Sequence, residues 1–129
     1  MPRFLVMVKH DDGTAEAPMD QWDSVDVEAH LRYYDVLQRE LIESGEQVRF
    51  IALGAPQQAK VVRTDGSPVP VVSDGPFAET KELIAGFQIV DVESKARAIE
   101  IAARVSAAPG PGGVPLQQMV EVREVVVDS

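Results

Sequence analysis

The chain has 129 residues, no cysteine, and 12 Lys and Arg against 21 Asp and Glu, a net charge of −9. Residues 11–46 hold eleven of those acids and only Arg32 and Arg39 as bases, so the excess is local and the rest of the chain is balanced. One domain over residues 1–129 is expected at this length. The acidity excludes the basic footprint of nucleic-acid or anionic-membrane binding, and the absent thiols exclude disulfides, thiolate metal sites and a Cys nucleophile.

No apolar run approaches the roughly 18 residues of a membrane span. Met1-Pro2-Arg3 and the short mixed strand behind it do not read as a signal peptide. A cytoplasmic location is expected.

Arg3–Lys9 predicts a strand, with Phe4, Val6 and Val8 alternating against Arg3, Leu5, Met7 and Lys9. Residues 10–23 are polar and turn-rich and predict a surface loop. Val25–Ser44 predicts a long amphipathic helix. Val27, Leu31, Leu37, Gln38 and Leu41 fall beside Tyr34 on its wheel, and the charged residues fall on the flanks or opposite. Ser24 or Asp23 can cap its start and Gly45 can end it. Trp22 is expected to pack where this helix begins.

Gln47–Leu53 predicts a second strand. Ala59–Arg63 and Val69–Val72 flank an Asp65-Gly66 hairpin signal, with Pro68 and Pro70 marking the second arm as an edge. Leu83–Val92 contains another strand. Ser94–Val105 predicts a capped second helix whose inner face is Ala98, Ile101, Ala102 and Val105. Pro109–Gly113 is a connector and Leu116–Val126 a last strand. On that strand Glu121 and Arg123 share one face, and Val120 and Val122 the other. The order is β-α-β, a hairpin, then β-α-β. That is an α+β, ferredoxin-like split β-α-β pattern with a hairpin insertion. Two helices cover one face of such a sheet. A mixed apolar and charged second face suits a homodimer with facing sheets and a cleft between them.

The run Asp74-Gly75-Pro76-Phe77-Ala78-Glu79-Thr80-Lys81-Glu82-Leu83-Ile84-Ala85-Gly86-Phe87 resembles the DGPF signature of the YCII-related family. Gly45, Gly54 with Pro56, and Val120-Glu121-Val122-Arg123 extend the resemblance over nearly the whole chain. The resemblance implies a ferredoxin-like domain that dimerises as a dimeric α/β-barrel. Related barrels include small monooxygenases, isomerases and decarboxylases. The YciI-like branch has a proposed His–Asp active site, and some DGPF-bearing relatives occur near sigma factors.

The candidate catalytic residues are Asp74 and His30. The Gly75-Pro76 turn can aim Asp74, and a desolvated Asp74 would serve as a general base. Phe77 would then form an apolar wall, while Glu79, Lys81 and Glu82 bring charge to a ligand, with Phe87 and Arg123 lining the same cleft. The bland alternative is a solvated turn with local ion pairs. His30 lies about 40° from Tyr34 on the wheel, at roughly 100° per residue, where an imidazole can exchange protons or simply pack with one hydrogen bond. Glu121 and Arg123 can pair with each other, or Arg123 can hold an anion. His10 beside Asp11 and Asp12 lacks a third ligand, so no metal is expected. No phosphate-binding or dinucleotide fingerprint is present, and no cofactor is expected. Two functions fit: a dimeric small-molecule protein doing cofactor-independent proton-transfer or oxidation chemistry, or a regulatory protein whose acidic helix meets a basic partner such as a sigma factor.

Overall fold

The computed structural model describes residues 1–11, 13–75 and 84–128. In chain order the elements are β1 (Arg3–Lys9), α1 (Ser24–Glu43), β2 (Gln47–Ala52), β3 (Lys60–Arg63), β4 (Val71–Asp74), β5 (Ile84–Asp91), α2 (Lys95–Ser106) and β6 (Val120–Glu124). The main sheet runs β2-β5-β1-β6, every neighbouring pair antiparallel. Each helix therefore carries the chain past one intervening strand, which is consistent with the ferredoxin-like expectation. β3 and β4 pair only with each other in a separate ribbon. Gly45 ends α1 at φ 79°.

The core lies between the helices and one sheet face. Phe4 and Val6 of β1 meet Val90 and Val92 from the β5 side, Leu37 and Leu41 of α1, and Ala98, Ile101, Ala102 and Val105 of α2. The α2 face is the one its periodicity predicts. Its alanines let the helix sit close over β1 and β6. Burying a Leu or Ile such as Leu41 or Ile101 stabilises the fold by about 1.5–3 kcal/mol each. Ser94 caps α2 by accepting from the Arg97 amide at 3.2 Å. Asp23 occupies the α1 cap position without a side-chain capping bond.

Three details differ from the pattern in the sequence. On α1, Leu31 is 58% exposed and His30 is buried at 6%, so the inward face is turned toward His30. The wheel treats Leu as inward by hydropathy, but the partners offered to this turn are Trp22 and a backbone carbonyl. The last strand begins at Val120, not Leu116. Gln117 has φ 58°, which interrupts an extended chain, and Leu116 turns inward and is buried. The hairpin arms fall at Lys60–Arg63 and Val71–Asp74, shifted past the prolines that cannot feed a ladder.

Registry fixes the second sheet face. Leu5 opposes Ile89 and Arg123, and Met7 opposes Phe87 and Glu121. Ile51 opposes Phe87. These side chains alternate with the core residues, so they share the face away from both helices. Met7 at the centre of this face is buried, and Leu5, Ile51, Phe87 and Ile89 are half-buried.

Candidate functional site

A cavity of about 470 Å³ lies on the helix side of the sheet. Val8, Phe50, Ala52, Ala85 and Gly86 form its floor, and His30, Leu31 and Tyr34 of α1 form one wall. The loop after β1 supplies Asp11, Ala15, Ala17, Pro18, Met19 and Trp22, and the segment before β6 supplies Leu116 and Gln118. Its volume is that of a small-molecule pocket.

The sequence builds this hollow in identifiable ways. Gly86 has no side chain where β2 crosses close: a Cβ there would stand 2.7 Å from the Ile51 carbonyl oxygen. The loop is fastened over the opening from below. Gly13, at φ 55°, is pressed on Leu116 so tightly that a Cβ would meet its carbonyl oxygen at 2.0 Å. Thr14 N donates to Leu116 O at 2.8 Å, and Gln118 Nε2 donates to Asp11 O at 2.9 Å. The Asp11 carboxylate accepts from the Gly13 amide at 2.7 Å. A short 3-10 turn, Met19–Gln21, then leads to Trp22, whose indole N–H donates to Ala17 O at 2.8 Å.

His30 is the best-defined polar group of the cavity. Its Nδ1 lies 2.9 Å from the Pro109 carbonyl oxygen. A carbonyl only accepts, so in the neutral ring Nδ1 carries the proton and Nε2 holds the lone pair. Among the described residues no partner engages Nε2. The ring is held edge-on by Trp22, with centroids 5.6 Å apart, and by Tyr34 at 5.0 Å. Tyr34 follows His30 by four residues, so the two stand one above the other on α1. Burial first, and the neighbouring Tyr33 second, push the Tyr34 phenol up to about 12. Tyr34 is thus a neutral hydrogen-bond donor, and Tyr33 is engaged elsewhere, donating to Arg104 O at 2.6 Å. The packing expectation for His30 holds, one hydrogen bond included, and the same residue also lines the cavity.

The other expected site residues are dispersed. Asp74 ends β4 on the separate ribbon, where its side chain is 84% exposed and paired with Lys60. Asp74 does not line the cavity that holds His30. Phe87 and Arg123 do share a face, but it is the one away from the helices, across the sheet from His30. Glu121 reaches Lys9 at 3.5 Å instead of Arg123. Phe77, Glu79, Lys81 and Glu82 lie outside the described residues. The sequence signal that was passed over is the apolar content of the 10–23 loop: Ala15, Ala17, Pro18, Met19 and Trp22 stand among its acids, too many for a merely solvated connection.

Fold and cavity together define an antiparallel α+β domain with a pocket of small-molecule size on its helix side. The YCII-related domain matches residues 3–114, so the chain belongs to the YCII-related family. It is also similar to an uncharacterised protein of Rhizobium meliloti strain 1021, at 28% identity over 117 residues and 90% of each chain. Among the described residues no helix is long and apolar enough to cross a membrane.

Proposed function

We propose that this protein binds a small organic molecule in the cavity under α1 and exchanges a proton with it through His30. The observation that carries this is the buried imidazole: Pro109 fixes its tautomer, and its free lone pair lies in an apolar hollow. Nε2 is placed to take a proton, and the neutral Tyr34 hydroxyl one turn away can donate a hydrogen bond to the group that develops charge. If the proton returns to a different atom, the result is an isomerisation, which uses these side chains alone. The Asp74-Gly75-Pro76-Phe77 run supports placement in the DGPF-bearing branch of the family.

The same proposal includes a homodimer. The face bearing Leu5, Met7, Ile51, Phe87 and Ile89 is the surface on which a second sheet would pack, as the resemblance implies. The regulatory alternative has less behind it. Glu28 and Asp35, which would greet a basic partner, are already bridged to Arg32 and Arg39 at 3.1 Å on the same helix.

The test begins with a metabolite library screened by thermal shift. Solvent-deuterium incorporation into each hit is then followed by NMR. Wild type is expected to label one position; His30→Gln should slow labelling by roughly 10²-fold or more, and Tyr34→Phe by less. Equal labelling by wild type and His30→Gln would sink the catalytic part. Hits that bind His30→Gln and a cavity-filling Ala52→Phe variant as well as wild type would sink the site.

A further inference from the structure

The acidic stretch that begins at Asp11 reaches the cavity through the 10–23 loop. Asp11 lines the cavity. Glu16, Asp20 and Asp23 stand exposed on the loop that also supplies the lining residues Ala15, Ala17, Met19 and Trp22, and the first Lys or Arg after Lys9 is Arg32. Low-dielectric walls focus such a field inward. Acidity alone specifies no ligand, but the lining points the same way by its own chemistry.

Among the described lining residues there is no Lys or Arg. His10 presents an imidazole that can donate and accept, and the other free polar atoms include two well-placed acceptors. His30 offers the Nε2 lone pair, because its N–H is spent on Pro109. Gln118 offers its amide oxygen and one N–H, the other N–H being spent on Asp11 O. A carboxylate or phosphate would find no Lys or Arg, only the Tyr34 hydroxyl, one Gln118 N–H and the His10 ring to donate to it. The walls, in contrast, suit a cation. Trp22, His30, Tyr34 and Phe50 form a continuous series of rings, with centroid spacings of 5.6, 5.0 and 6.5 Å along it. Aromatic faces attract ammonium groups and accept apolar bodies equally well.

We propose that the cavity selects a small organic cation, a protonated amine on an apolar or aromatic body, over an anion of the same shape. The ammonium N–H donates to His30 Nε2 and the Gln118 amide oxygen while the body lies against Trp22, Tyr34 and Phe50. This rests on the cavity being a ligand site, as proposed above.

Trp22 is the single tryptophan of the chain, so its fluorescence reports on the wall directly. The probes are phenethylammonium, hydrocinnamate and phenethyl alcohol, titrated into the full chain at neutral pH and two ionic strengths. Phenethylammonium is expected to bind roughly tenfold tighter than hydrocinnamate at low salt. The preference should shrink at high salt and in the exposed double variant Glu16→Gln, Asp20→Asn. Hydrocinnamate binding as tightly as the ammonium, or the alcohol matching it with no salt dependence, overturns the cation preference and leaves the site standing. Binding of none of the three overturns both.

Discussion

At the scale of single residues, Tyr34 carries a prediction that needs no ligand. Burial holds its phenol neutral to about 12, against an ordinary 10.0. The folded state keeps the proton longer than the unfolded chain does. Its contribution to stability is therefore complete below the ordinary phenol value and is lost as pH rises from there toward about 12. Phenolate absorbance should show a step near pH 12 that Tyr34→Phe removes. A Tyr34 step at the ordinary phenol value would mean that the wall of the cavity is open to water. His30 illustrates why such residues are hard to read in advance. Its place on the apolar side of α1 is legible from helical spacing. The carbonyl that fixes its tautomer belongs to Pro109, which is 79 residues away in sequence, and nothing local announces it.

At the scale of elements, the junction of α1, β2 and α2 turns on Glu46. Its backbone N–H donates to Leu41 O at 3.0 Å, and its carbonyl accepts from Asp91 N at 2.8 Å. Its carboxylate takes a two-pronged contact from Arg97 at 2.8 and 2.9 Å. The Arg97 hydrogen bonds, with help from Ser44, hold the carboxyl below the usual range against the opposing effect of burial. The lowered value means that this stabilisation is complete above the ordinary carboxylate range and is lost as pH falls through the folded-state value. Glu46→Gln should cost about 1.5 kcal/mol near neutrality and progressively less in acid. Urea midpoints at a series of pH values measure this, and a pH-independent difference would assign the loss to shape instead of charge. The elements themselves were largely legible. α2, its Ser94 cap and its buried face follow from a clean period and a polar start. β6 is shorter than its apolar alternation, because the positive φ at Gln117 is set by tertiary contacts. The 10–23 loop was legible as a loop but not as a wall, since its covering role depends on Gly13 meeting a segment far along the chain.

At the scale of the whole molecule, the two sheet faces have different fates. One is filled by helices and the cavity; the other holds Leu5, Met7, Ile51, Phe87 and Ile89 between charged margins. The split β-α-β order was legible from the succession of periods, and a second face turned away from the helices follows from it. The location of the pocket was not, because the same order permits a hollow on either side. Homodimerisation through the face away from the helices predicts a mass of about 28 kDa by light scattering, twice the 14.0 kDa chain. Phe87→Asp should shift the protein toward monomer, because a charge would sit desolvated in the middle of the packed sheets. Wild-type protein that is monomeric at all accessible concentrations would remove the dimer from the proposal.

The tether between His30 and Pro109 links the cavity to the connector after α2. The connector after α2 is held by Leu116 N donating to Ala108 O and Gln117 N donating to Ser106 O, both at 2.9 Å. Any opening of that connector withdraws the carbonyl and frees the imidazole to rotate. A molecule bound at Nε2 must then suppress the opening by its own binding free energy, whatever distance separates it from those amides. Deuterium uptake at Leu116 and Gln117 should slow in proportion to ligand saturation, making two backbone amides outside α1 an occupancy gauge for the site.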